Sequence, residues 1–299
     1  MLATAFSPAK SLRVADPRSP KKLASPPKIE CALDSELAPN YSYACALLAL
    51  RTPMIIDTLL TPADLPSLAH RDLRGTACVV FDILRATSTF IAALQNGAKA
   101  IIPVSDIPEA LARREFQPDT LLAGERDGLK IRAAQAGGVD FDLGNSPREF
   151  RAEKVRGKTI VSTTTNGTRA LRACAGAQLV LASSFLNLAA TARYLNQPPP
   201  LELLLVCAGT GQGAALEDVL AAGALAGLVG GDYSDATEIA VRTFRSAQAD
   251  LPAAVASTQN GRRLLALPEL RADVAYCAQR DLFKIVAGMN PEGIIRTLG

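Results

Sequence analysis

Four short segments bring together side chains able to hold an anion, a hard cation, or both, and the clearest of them follow apolar runs. The densest is Thr163-Thr164-Thr165-Asn166-Gly167-Thr168-Arg169, after Lys158-Thr159-Ile160-Val161. A buried strand entering a hydroxyl-rich turn, with a helix beginning near Thr168, would offer backbone N–H groups and hydroxyls together, which suits phosphate. The same residues also fit an Asn N-cap with a Gly turn and no ligand. In Phe81-Asp82-Ile83-Leu84-Arg85-Ala86-Thr87-Ser88-Thr89 a carboxylate leaves a strand, an arginine follows, and hydroxyls open a helix. Asp82 could hold Mg²⁺ or attack phosphorus, and Arg85 could clamp an anion through its planar fork. An Asp–Arg pair with Thr87 as N-cap is the ligand-free alternative.

The third segment is Gly124-Glu125-Arg126-Asp127-Gly128-Leu129-Lys130, with Phe141-Asp142-Leu143-Gly144-Asn145-Ser146-Pro147 shortly after. Charges between glycines are commonly solvated loop, yet Glu125 beside Arg126 sets a hard oxygen ligand next to an anion clamp. The fourth is Cys207-Ala208-Gly209-Thr210-Gly211-Gln212-Gly213, leading into Leu216-Glu217-Asp218. Glu217 and Asp218 could ligate a metal, or could simply favour the positive end of a helix that they begin.

Several familiar chemistries do not fit. His70 is the only histidine and lies outside these turns, which argues against a Ser-His-Asp group or a phosphohistidine. Position 213 is Gly where a cysteine-phosphatase loop after Cys207 would need Arg, and no Lys completes a Walker A loop. Position 84 is Leu, so Asp82 lacks the second Asp of haloacid-dehalogenase phosphatases. A dinucleotide reading has more support: Gly209-x-Gly211-x-x-Ala214 follows a strand, opens a helix, and has Asp232 at about a Rossmann spacing. It predicts an NAD(P)-dependent oxidoreductase, although Ala-Gly-Leu-Val-Gly-Gly before Asp232 makes a poor second strand. A non-catalytic anion-binding protein is the remaining alternative. Carboxylates gathered beside anion-binding turns favour a metal-dependent enzyme over it, since a pure anion receptor gains little from them.

These segments need a scaffold, and 299 residues suffice for one large domain or two intimate ones. Short apolar runs alternate with helical patterns. Strands are expected at 54–60, 77–81, 100–104, 159–162, 179–182 and 201–207. Helices are expected at 87–95, 108–116, near 168–174, 186–195 and 216–229, with an irregular Gly-rich stretch between 116 and 159. The tail from Ser234 reads as mainly helical, with 282–286 open to strand or helix. This alternation predicts an α/β, three-layer α/β/α-type architecture around a largely parallel or mixed sheet. Gly75 and Gly157 each open the same order of strand, Thr-containing turn, helix and strand. Internal duplication and generic β–α–β grammar are both readings of this echo; if duplication holds, the two turns share a cleft at carboxyl ends of strands.

Composition narrows the partners. No uninterrupted apolar run reaches the roughly 20 residues of a membrane span, so no membrane association is expected. Trp is absent and aromatics make up only 5%, which gives little support to base-stacking platforms. The net charge of +3 comes from residues 1–53, where seven Lys/Arg face four Asp/Glu; the remainder holds 25 of each sign, so no nucleic-acid face is expected. The Ser/Pro/Lys/Arg-rich stretch from Ser7 to Lys28 has the composition of a disordered tail, and 1–53 is read as a leader or start-site artefact before a domain at 54–299. Six scattered cysteines without a CxxC pair are expected to be reduced, mostly buried thiols in a cytoplasmic protein. The Ala/Gly-rich stretch Ala221–Gly230 permits close packing, either in a homo-oligomer or within the core.

Taken in order, FDILRATST (81–89), GER (124–126), FDLGNSP (141–147), TTTNGTRAL (163–171), SFLN (184–187) and CAGTGQGAALED (207–218) resemble the 2-phosphosulfolactate phosphatase family, the ComB-like phosphatases of coenzyme M biosynthesis. The resemblance runs from about Met54 to the C-terminus. It implies an α/β phosphatase that uses Mg²⁺ and acts on a small anionic 2-phospho-3-sulfo acid. On that implication Asp82 and Glu125 would hold Mg²⁺, with Asp218 or Glu217 as a further direct or water-mediated ligand. Arg85, Ser88, Thr165, Asn166, Gly167 and Thr168 would cradle the phosphoryl group, with Asp82, Arg85 and Asn166 as the catalytic set. Arg126 and Arg169 would face the sulfonate or carboxylate. Attack by metal-activated water is preferred over a phospho-Asp82 intermediate.

Overall fold

All six residues of strand β2, Thr76–Phe81, are buried, as a strand covered on both faces must be. In this computed structural model, which describes residues 53–298, Ala77, Val79 and Phe81 pack into one core, while Cys78 and Val80 pack into another on the opposite face. Helix α1 (Ala86–Gln95) returns over the second of these cores, and β3 (Ala100–Pro103) follows it. Helix α2 (Ile107–Phe116) then leads to β4 (Leu121–Arg126) and β5 (Leu129–Lys130). After α3 (Ala152–Val155) the same grammar repeats as β6 (Thr159–Thr163), α4 (Gly167–Ala173) and β7 (Leu179–Ser183).

Helix α5 (Leu188–Leu195), β8 (Glu202–Cys207) and α6 (Leu216–Val229) build the first core, which α7 (Asp235–Ala247), α8 (Leu251–Ala256), α9 (Gln259–Leu265) and α10 (Arg271–Cys277) extend. The expected α/β sandwich, with helices on both faces of one mixed sheet, is what the chain forms. Gly223 of α6 sits so close to Ala240 of α7 that a Cβ would strike the Ala240 carbonyl. The Ala/Gly stripe there serves packing within the core.

Among the described residues the sheet has 11 strands in the order β5-β4-β6-β3-β11-β10-β7-β2-β8-β1-β9, where β1 is Ile55–Leu59, β9 is Asp232–Tyr233, β10 is Val286–Met289 and β11 is Ile295–Leu298. Strands β1, β2, β7, β8 and β9 form one parallel block, and β3, β4 and β6 another. The echoed units are exchanged between blocks: β2 pairs with β7, the last strand of the second unit, and β3 pairs with β6, the first.

The tail is mainly helical, as expected, up to Cys277, and its end, left open to strand or helix, is strand: β10 and β11 form an antiparallel hairpin inserted between the blocks, pairing with β7 on one side and β3 on the other. Each strand has four residues, too short for a period, and the Asn290-Pro291-Glu292-Gly293 turn is the one local cue. One expectation needs correction: the stretch between 116 and 159 is not wholly irregular, because it contains β4 and β5. The expectation for the leader, and the cysteines Cys31 and Cys45, lie outside the described residues. Among those residues Cys78, Cys174, Cys207 and Cys277 are free and buried, and no helix is long and apolar enough to cross a membrane.

Candidate active site

Phe81 pairs with both Ser183 and Cys207, so the chain leaves β2, β7 and β8 at one level. In the other block Gly124 of β4 pairs with Thr163 of β6. These exits meet where α4 begins. Gly167 lies so near the Asp82 side chain that a Cβ would fall on Asp82 Oδ2 and within 2.6 Å of the Ala86 methyl. Glycine is therefore required by close approach. The carboxyl ends of β2, β4, β6 and β8 together form a cleft of about 240 Å³.

Asp82 Oδ1 accepts from Ala86 N (3.0 Å), which fixes the carboxylate at the start of α1. Burial pushes its pKa up to about 7; the Ala86 N–H opposes this, repulsion from Glu125 and Glu217 adds to it, and Arg85 pulls it down. Arg85 is buried in the cleft wall: Nη1 donates to Asp273 Oδ2 (2.8 Å) and Nη2 to the Gly128 carbonyl (2.5 Å). Asp273 is itself fully buried and accepts at Oδ1 from Ser146 Oγ (2.7 Å).

The other carboxylates divide by what they hold. Glu125 joins two turns, accepting at Oε1 from Thr165 N (2.8 Å) and Oγ1 (2.9 Å), and at Oε2 from Gly128 N (2.7 Å). Asp218 accepts from Ile83 N (2.8 Å) and Gly209 N (2.9 Å), clamping the β2 and β8 exits together. Burial, reinforced by Glu217 and Asp82, pushes Asp218 well above the usual carboxylate range. Glu217 Oε1 accepts from Asn260 Nδ2 (2.6 Å), whereas its Oε2 is buried with no hydrogen-bond partner. A buried unpaired carboxylate oxygen is costly, so a cation is the natural complement.

Among the described residues no three acidic, thiol or imidazole groups close around one point. Asp82, which lines the cleft, bonds Ala86 N through Oδ1 and has no hydrogen bond at Oδ2 among the described residues, and Glu217 Oε2 is buried without a partner. One or two carboxylates, completed by water and substrate oxygens, is how Mg²⁺ is commonly held. The residues present therefore fit a divalent cation bound sparingly, with Glu125 and Asp218 shaping its surroundings.

The expected phosphate cradle is brought together only in part. Asp82, Arg85, Glu125, Thr165 and Asn166 all line the cleft. Asn166 Nδ2 donates to Ala208 O (2.8 Å) and Gly211 O (3.3 Å), tying its turn to the glycine loop. Ser88 and Thr168 are buried in their helices, with Oγ donating to Ile83 O (2.9 Å) and Oγ1 to Thr164 O (3.1 Å), so neither hydroxyl faces the cleft. Arg169 is exposed on α4 and does not line the cleft. Arg126 donates to Glu125 O (2.6 Å) and Thr163 Oγ1 (3.1 Å) and lines a neighbouring basic groove of about 750 Å³ instead.

Sequence reasoning missed Asn260 and Arg263, which α9 brings to the cleft, and Asp273 behind Arg85. Nothing local distinguishes Thr258-Gln259-Asn260-Gly261-Arg262-Arg263 from an ordinary capped helix start. The dinucleotide reading loses its acid. Asp232 pairs with Ile55, which also pairs with Glu202 at the amino end of β8, whereas the glycine loop follows the carboxyl end. Cys207 is buried, with its thiol pushed well up by burial and by Asp218 and Glu217, and His70 is exposed away from the cleft.

A sequence model of a family described as 2-phosphosulpholactate phosphatase matches residues 61–291. A "Probable 2-phosphosulfolactate phosphatase" of Thermotoga petrophila is 43% identical over 209 residues, covering 70% of this chain and 86% of that protein. One of the same name from Caldanaerobacter subterraneus subsp. tengcongensis is 40% identical over 242 residues, covering 77% of this chain and 94% of that protein.

Proposed function

The chain belongs to the 2-phosphosulfolactate phosphatase family, and on that premise we propose that it hydrolyses 2-phospho-3-sulfolactate to sulfolactate and phosphate with Mg²⁺. The observation that carries the metal-dependent part is the buried Glu217 Oε2, which has no hydrogen-bond partner and whose carboxylate is near enough to Asp82 to add to the rise that burial causes in the Asp82 pKa. About 240 Å³ suits a small phospho acid and lies below the usual range for drug-sized ligands.

Phosphate-monoester hydrolysis is largely positioning and charge stabilisation. Arg85 is fixed on both sides, so its guanidinium meets a phosphoryl group without reorganising. The Thr165 and Asn166 turn is held by Glu125 and by the glycine loop, which sets it against the same group. A water oxygen bonds to phosphorus as the ester P–O bond breaks, and the proton that water gives up goes to the departing sulfolactate alkoxide. Asp82 Oδ1 is engaged by Ala86 N–H and Oδ2 would be taken by the cation, which favours water over Asp82 as the attacking group. Mg²⁺, held by Asp82 and Glu217, would neutralise charge on the phosphoryl oxygens.

The test is phosphate release by the full chain from 2-phospho-3-sulfolactate with Mg²⁺, then with EDTA. Fast release that EDTA abolishes is the expected result. Release unaffected by EDTA would remove the metal, and none from a folded protein with Mg²⁺ would remove the hydrolase. An acyl phosphate trapped on Asp82 during turnover, by borohydride reduction or hydroxylamine, would overturn direct attack by water.

A further inference from the structure

Gly128, at the tip between β4 and β5, lies between two guanidinium groups. Its carbonyl accepts from Arg85 Nη2, and its open face lies against Arg263, where a Cβ would come within 2.8 Å of Nη2. The backbone φ of +81° makes glycine the fitting residue there, and Gly128 N–H, bonded to Glu125, locks the tip in place. Both arginines line the cleft.

They differ in compensation. Arg85 is buried and matched by Asp273. Arg263 is exposed on α9 and, among the described residues, makes no hydrogen bond or ion pair. The carboxylates nearest in the cleft do not neutralise it: Asp82 and Glu125 hold backbone N–H groups, and Asp127, though it lines the same cleft, forms no ion pair with it. Arg126 and Arg169, the cations that the sequence nominates for a second acid group, lie outside this cleft. An unpaired planar donor fork at the mouth of an anion site is suited to bidentate capture of a further carboxylate or sulfonate.

We propose that Arg263 binds the acid group of the substrate that does not react, and so sets a preference for phosphoesters carrying a second acid. This deepens the phosphatase reading above and rests on it for the identity of the reacting group. The anion-binding role itself is testable apart from turnover.

Two measurements separate the cases. The first compares kcat/KM for 2-phospho-3-sulfolactate and p-nitrophenyl phosphate in the full-length wild type, Arg263→Gln and Arg263→Lys. The preference for the acidic ester should fall by at least about tenfold in Arg263→Gln, mainly through KM, with partial recovery in Arg263→Lys. Phospholactate and 2-phosphoethanesulfonate show whether the carboxylate or the sulfonate carries the effect. The second titrates 3-sulfolactate, which has no phosphate, into the same proteins by calorimetry, where Arg263→Gln should weaken binding by a similar factor. A preference within twofold of wild type, or sulfolactate binding unchanged, overturns the proposal whatever the turnover. If no ester is hydrolysed but sulfolactate binding depends on Arg263, the phosphatase reading falls and the Arg263 site stands.

Discussion

Asp273 and Arg85 are separated by 188 positions and joined by one 2.8 Å hydrogen bond, with both side chains almost wholly removed from solvent. Arg85 belongs to the turn after β2, and Asp273 to the last helix. Asp273 also holds Ser146, and Arg148 Nε lies 3.5 Å away, so a single carboxylate gathers three segments behind the cleft. It fixes the place of the Arg85 guanidinium.

Removing that carboxylate leaves a buried guanidinium without its partner, a change that costs on the order of 3–5 kcal/mol. Asp273→Asn is isosteric and should lower both the melting temperature and kcat. Ser146→Ala should cost about 1 kcal/mol and largely spare kcat. Chemical denaturation alongside steady-state kinetics checks both; an Asp273→Asn protein with wild-type kcat would exclude the positioning role.

Gly167→Ala would place a methyl group on Asp82 Oδ2 and against Ala86. The start of α4 and the turn after β2 must then move apart, at about 1–3 kcal/mol for overpacking. The expected outcome is a folded protein, by circular dichroism, with activity reduced more than tenfold.

The raised pKa of Asp82 fixes a sign. Its folded value of about 7 exceeds the ordinary value of 3.8, so the folded state holds a proton that the unfolded state releases. In the metal-free protein this contribution is fully present below about pH 4 and is lost as pH rises through about 7. Asp218, also raised, acts in the same direction. Asp82→Asn should flatten the fall between pH 4 and 7, as followed by melting temperature in EDTA; a slope as steep as wild type would contradict the assignment.

Glu217→Gln tests the cation from the other side. Removing a buried unpartnered charge should raise metal-free stability, while the stabilisation gained from Mg²⁺ should shrink. Saturating a site at 100 times its Kd is worth about 2.7 kcal/mol, a shift that thermal melts can read. Equal Mg²⁺ stabilisation in the variant and the wild type would remove Glu217 from the site.

The α/β alternation and the chemical turns were legible in the sequence because both are local. Buried runs such as Thr76–Phe81 announce strands, and polar residues clustered where such runs stop mark the ends at which ligands bind. Asp82, Arg85, Glu125, Thr165 and Asn166, which such turns carry, all line the cleft. Which atoms of these turns remain available was not legible, because it depends on how the folded segments bond. The Ser88 and Thr168 hydroxyls are bonded to carbonyls of the turns that precede their helices, and the two Asp218 oxygens to Ile83 N and Gly209 N. Nor does period or composition place a four-residue hairpin at the centre of a sheet, or bring Asn260, Arg263 and Asp273 to a cleft begun nearly 200 residues earlier. Those outcomes depend on long-range register and on burial across the whole core, which only the folded chain decides.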